Sequence, residues 1–269
     1  MVTESYLDTV RRLASAQKKA APGAPAYSIL VNRPAGRLIA ALAFRLGLTP
    51  NMVTAVSATF TFVGILLLAV LPVSWGLGIA VWLLLAIGYA CDSADGQVAR
   101  LRGGGSRAGE WLDHVVDSLK IVTLHLAVLI SAYRNFSLNS PAWLLVPVAF
   151  TAVATVLFFA MILNDQLKAV HAAKFGVVVA PTRTGSLRRS LLVLPTDYGL
   201  LCLIFVALGA PIVFFVIYTL IFIATAGYLA LASVKWFRDM ASLDSAGVST
   251  AAPRGTFASE HVAGSEGAQ

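Results

Sequence analysis

Residues 92–117 read DSADGQVARLRGGGSRAGEWLDHVVD, and four aspartates lie within that stretch. Asp92 and Asp95 stand three apart, and Asp113 and Asp117 four apart, so each pair shares one face of a helix. Gly109 falls one turn before Asp113 on the same face. The RLRGGGSR turn between the pairs is short, which makes the two helices antiparallel neighbours and brings both pairs to one cleft. Four converging carboxylates repel one another. Hard divalent cations that prefer oxygen ligands, Mg²⁺ or Mn²⁺, relieve that repulsion. Gly96, Ala99 and Gly109 have almost no side chain. They either let helices pack closely or leave the backbone open to a flat base or a diphosphate.

The elements that carry these acids are membrane helices. Of the 269 residues, 58% are hydrophobic and only 12% charged, where a soluble domain carries about 25%. Mean hydropathy is +0.80. A span needs about 20 mainly apolar residues, and six candidates occur, at 52–72, 76–100, 108–132, 142–163, 194–210 and 212–236. The acids sit at the ends of the second and third, roughly 10–15 Å from their connecting turn at 1.5 Å per residue. A carboxylate at that depth is costly unless paired or metal-bound, so its default reading is functional.

Charge orients the bundle. The net charge of +7 is spread along loops that flank apolar segments, which together with the hydropathy excludes a nucleic-acid binder. Lys and Arg crowd the segments before the first span, between the second and third, between the fourth and fifth, and after the sixth; the opposite loops hold only Arg134. Both termini are therefore expected in the cytoplasm. Ala35–Leu46 (AGRLIAALAFRL) is apolar with internal arginines and is expected to lie in the membrane interface. The expected organisation is a cytoplasmic segment over 1–34, a membrane domain over 35–238 and a disordered cytoplasmic tail over 239–269. Cys91 and Cys202 fall in apolar stretches and read as small buried residues.

The spacing D-x2-D-G-x2-A-R-x8-G-x3-D-x3-D, complete from Asp92 to Asp117, resembles the signature of the CDP-alcohol phosphotransferase family. LTPNMVT, Leu48–Thr54, is similar to that family's P-N-x-x-T opening of the first span. The resemblance implies an all-α polytopic membrane enzyme with six transmembrane helices and an N-terminal interfacial helix, acting as a homodimer at the cell membrane. It implies that Asp92, Asp95, Asp113 and Asp117 bind Mg²⁺ or Mn²⁺, and that Asp117 also serves as general base. It further implies that Asp92, Gly96, Ala99, Arg100 and Gly109 shape the CDP pocket. Asn51 and Thr54 either reach the diphosphate or cap their helix. CDP-diacylglycerol is the favoured donor, with an alcohol or polyol phosphate as acceptor. Transfer of a CDP-linked polar alcohol to a lipid or sugar phosphate is the alternative.

Other residues leave two readings open. Lys120 either holds an acceptor phosphate or pairs with Asp117. Arg183, Arg188 and Arg189 either bind an anionic acceptor or contact anionic lipid. Asp197 reads as a partner for one of those arginines, and His114 and His125 as helix-packing residues. A cation transporter also places acids in the membrane, but it needs polar groups in later helices, and Pro211–Tyr228 offers only Tyr218, Thr219 and Thr225 besides Tyr228 itself.

Overall fold

The computed structural model describes residues 5–15, 25–176 and 196–250, and among them no strand occurs. Helix α1 covers Tyr6–Ser15. A π-helical turn, Ser28–Asn32, runs directly into α2, Arg33–Arg45. Then come α3 (Pro50–Val70), α4 (Trp75–Leu101), α5 (Arg107–Asn135) and α6 (Leu145–Phe175), the last entered through a 3-10 turn at Pro141–Leu144. The short α7, Tyr198–Leu203, continues as a 3-10 helix over Ile204–Gly209, and α8 runs Pro211–Thr250.

Local chemistry sets the starts. Thr49, Ser74 and Ser106 are N-caps whose hydroxyls accept from the N–H groups of Met52, Leu77 and Gly109. Thr49 thus takes the capping role at α3, which leaves Asn51 and Thr54 free of it. The α4–α5 turn needs its glycines: Gly103 and Gly104 adopt φ of +94° and +133°, a region that L side chains rarely enter.

Among the described residues, five helices are long and apolar enough to cross a membrane: α3, α4, α5, α6 with its leading turn, and α8 to Leu243. The sixth candidate, 194–210, is represented among the described residues only by the short Tyr198–Gly209 segment. The chain nonetheless changes sides there. Lys168 of α6 pairs with Asp239 of α8 at 3.0 Å, so the far ends of those helices lie together and α8 begins at the opposite end of the bundle. A Cβ on Gly209 would strike the Trp75 ring, which places the end of the segment beside the start of α4. The α6 and α8 helices also outrun their apolar stretches, to Phe175 and Thr250. Of the expected tail, the part beyond Thr250 lies outside the described residues.

The core joins Leu68, Leu85, Leu124, Phe205, Phe214 and Tyr218 of α3, α4, α5, the 3-10 segment and α8. His125 packs there as expected, stacked on Phe150 and 2.7 Å from the Tyr218 hydroxyl. A second cluster, with Ala40, Ala41, Ala43, Val53, Ala94 and Val98, seats α2 on α3 and α4 through small residues. Leu38, Leu42 and Leu46 remain exposed on the opposite face of α2, the surface an interfacial helix offers to lipid.

Candidate active site

Close packing of α3 against α4 places the first acids. At Gly88 a Cβ would collide with Thr61 Oγ1 and stand 3.1 Å from the Ser57 carbonyl oxygen, so only glycine lets the helices meet here. Ser57 Oγ spans the contact and donates to the Gly88 carbonyl at 2.9 Å. One turn further on, Asp92 emerges. At the far end of α4, Arg102 donates to the Leu48 carbonyl at 3.0 Å and lies 5.7 Å from the Phe44 ring centre. The turn into α5 is thereby tied to the loop after α2.

Asp92, Asp113 and Asp117 converge as their spacing predicts. Each offers a carboxylate oxygen lying within 4.8 Å of the others, close enough to hold a metal ion. Asp113 Oδ1 is buried and has no hydrogen-bond partner among the described residues. A buried carboxylate oxygen left in that state is costly, and a hard cation satisfies it. The residues present therefore fit a divalent metal.

Asp95 is turned differently. Its Oδ2 accepts from Thr54 Oγ1 at 2.6 Å and its Oδ1 from the Gly96 N–H at 2.5 Å, and it lies outside the three-acid group. Thr54, 3% exposed, spends its hydroxyl on Asp95.

Lys120 is the cation inside the cluster. Its Nζ donates to Asp92 Oδ1 at 2.5 Å, to Asp117 Oδ1 at 3.0 Å and to Ser57 Oγ at 3.3 Å. The pairing with Asp117, one of its two readings, is present, and Asp92 joins it. Ser57 was not singled out from sequence, although it lies three residues after Thr54 on the same face of α3, a periodicity that points to it.

The small residues border an open face. Gly96 and Arg100 are exposed and Ala99 is half-buried. The Arg100 guanidinium reaches back along α4 to 3.9 Å from where a Cβ on Gly96 would stand. Asn51 Oδ1 lies 3.0 Å from the equivalent point on Gly109, which brings the start of α3 against the start of α5. Arg183, Arg188 and Arg189 lie outside the described residues.

Behind the acids is a cavity of about 360 Å³. Asp92, Asp117 and Lys120 line one part, and Leu124, Phe150, Phe158, Met161, Ile221 and Trp236 much of the rest. Asp197 also borders it. Its Oδ1 accepts from the Gly199 N–H at 2.9 Å and its Oδ2 from the Ser28 N–H at 3.2 Å. One carboxylate thus caps α7 and holds the turn that opens α2. Beside it the Tyr27 and Tyr89 rings stack, and the Tyr198 ring meets Tyr89 edge-on.

A model of the CDP-alcohol phosphatidyltransferase family matches residues 47–233, from the loop before α3 into α8, a region that includes all four acids. The chain belongs to that family. It is accordingly a phosphotransferase of phospholipid synthesis that acts on a CDP-alcohol. Two crystal structures of phosphatidylinositol phosphate synthase (PgsA1) from Mycobacterium tuberculosis are similar. One, in complex with manganese and citrate, is 22% identical, with 74% of this chain and 87% of that chain covered and a TM-score of 0.48. The other, with CDP-DAG bound, is 23% identical, with 75% and 90% covered and a TM-score of 0.47. Among curated proteins no match was found. In this CDP-alcohol phosphatidyltransferase the three converging acids and the cavity behind them are contiguous, since Asp92 and Asp117 belong to both.

Proposed function

We propose that this chain transfers the phosphatidyl group of CDP-diacylglycerol to the hydroxyl of a small alcohol or polyol phosphate, releasing CMP. The reaction takes place at the cytoplasmic face of the cell membrane, in a homodimer with both termini cytoplasmic. The observation that carries the reading is the meeting of Asp92, Asp113 and Asp117 within 4.8 Å, with Asp113 Oδ1 unpartnered among the described residues.

Those three acids, with Asp95 behind them, would hold Mg²⁺ or Mn²⁺. When bound, the cation neutralises the diphosphate and stabilises CMP as leaving group. Asp117 is the general base. Lys120 holds its Oδ1, which leaves the other oxygen to accept the acceptor's proton. The acceptor oxygen then bonds to the β-phosphorus, the bond from that phosphorus to the bridging oxygen breaks, and CMP departs with the electron pair. Gly96, Ala99, Arg100, Gly109 and Asn51 border the nucleotide on the open face. The mainly apolar cavity accommodates an acyl chain.

A second reading rests on the same cavity. It begins at Asp117, beside which the acceptor hydroxyl must sit, so it also suits an apolar acceptor paired with a CDP-linked polar alcohol. The deciding experiment measures CMP release by the purified protein with Mn²⁺ or Mg²⁺, CDP-diacylglycerol and a panel of alcohols, beside Asp117→Asn. Acceptor-dependent release lost in the variant supports the first reading. Release only with a CDP-linked polar alcohol and a lipid or sugar-phosphate acceptor supports the second.

A further inference from the structure

The cavity behind the acids reaches a histidine. Asp117 and His125 both line it, and both belong to α5. At 1.5 Å per residue, His125 lies about 12 Å further along that helix, inside the span. The walls around it are apolar, with Leu124, Phe150, Leu157, Leu201 and Ile221. An ionisable side chain inside a span is costly, and one that faces a cavity marks a substrate path by default.

The hydrogen bonding of His125 leaves one nitrogen over. His125 is 2% exposed and Tyr218 0%, and Nδ1 lies 2.7 Å from the Tyr218 hydroxyl. That contact is the one hydrogen bond either side chain makes among the described residues. Were Nδ1 to donate, the phenolic proton would be buried without an acceptor, which is unfavourable. Tyr218 therefore donates, Nδ1 accepts, and the N–H of the ring stands on Nε2. Stacking on Phe150, with centroids 4.1 Å apart, holds the ring in place. The result is an oriented donor on an apolar cavity.

We propose that His125 is a specificity-determining residue whose Nε2–H donates to the carbonyl oxygen of an acyl ester, at the head of a hydrocarbon chain that fills the cavity. An acyl ester is the group that carries an acceptor oxygen into surroundings otherwise suited to hydrocarbon. The inference rests on the reading above that a glycerolipid takes the cavity, as the CDP-linked donor or as the acceptor, and the ester carbonyl is common to both. Tyr218 is then a positioning residue, because it fixes which nitrogen of His125 carries the proton.

The test compares ester lipids with ether lipids, which lack the carbonyl. One arm measures CMP release by the purified full-length chain from CDP-diacylglycerol and from CDP-dialkylglycerol with a panel of alcohols. The other uses CDP-ethanolamine with diacylglycerol or dialkylglycerol as acceptor. In whichever arm turns over, wild type should favour the ester lipid by about 10-fold in kcat/KM, the scale of one neutral hydrogen bond. His125→Phe, which keeps an aromatic ring against Phe150, should use both lipids equally. Loss of packing alone lowers both rates together and leaves their ratio unchanged. Equal use of the two lipids by wild type, or an ester preference that survives in His125→Phe, overturns the proposal and leaves the transfer reaction standing. No CMP release in either arm overturns the reading of the reaction and the proposal with it. The wild-type ratio decides even where His125→Phe does not fold.

Discussion

Thr54 donates from α3 to Asp95 of α4 at 2.6 Å, in a contact buried on both sides. That bond separates Asp95 from the other three acids and orients it from behind. Thr54→Val deletes the donor and leaves a buried carboxylate oxygen unsatisfied. The expected loss is about 1–3 kcal/mol of stability, together with weaker CMP release. Thr54→Ser keeps the hydroxyl and should retain most of both. Thermal unfolding in detergent and the CMP assay check the pair.

Asp113→Asn removes the acid whose Oδ1 stands ready for a cation. The Mn²⁺ concentration needed for half-maximal CMP release should rise by about 10-fold or more, the scale at which even outer-sphere partners act on metal affinity. Chelation should stop wild-type turnover, and added Mn²⁺ or Mg²⁺ should restore it. Turnover that persists in chelator would remove the metal from the mechanism.

Gly88→Ala places a methyl group on Thr61 Oγ1 and within 3.1 Å of the Ser57 carbonyl oxygen. The helices α3 and α4 must then separate, at an overpacking cost of about 1–3 kcal/mol. Asp92 lies one turn along α4 and Lys120 donates to Ser57, so activity should fall further than stability alone explains. Activity measured well below the unfolding temperature separates the two effects.

Asp197 accepts from Gly199 and Ser28 at once. Asp197→Ala should lower stability by about 1–2 kcal/mol, the upper range for a lost N-cap, and should loosen the turn before α2. Asn caps as well as Asp but has one acceptor oxygen, so Asp197→Asn should keep the cap, lose the bond from Ser28 and fall between wild type and Asp197→Ala in stability. Limited proteolysis around residues 25–32, read beside the unfolding midpoint, tests both statements.

The ion pair of Lys168 with Asp239 sets the ends of α6 and α8 side by side, near polar sequence rich in lysine and arginine. A reporter fused after Gln269 should give a cytoplasmic signal. An external signal would reverse the orientation of the whole bundle.

What the sequence determined by itself is local or additive. Hydropathy summed over about 20 residues marks the long helices, and spacing of three or four residues puts acids on one helix face whatever surrounds them. The short glycine turn makes α4 and α5 neighbours, so the meeting of Asp92, Asp113 and Asp117 was legible before any coordinates. The pattern of eight specified positions pointed to the family by the same local logic. Side-chain partners far apart in sequence were decided only by tertiary structure. Asp95 turns to Thr54, 41 residues away, because α3 packs on that side of α4. Lys120 reaches Asp92, 28 residues away, as well as Asp117, and Asp197 finds the backbone of Ser28, 169 residues away. The 194–210 candidate contributes the short Tyr198–Gly209 segment because residues there pack on α4, with the Gly209 backbone against the Trp75 ring. Periodicity specifies which way a side chain faces from its own helix; which group it meets depends on how neighbouring helices approach, and in this bundle small residues such as Gly88 control that approach.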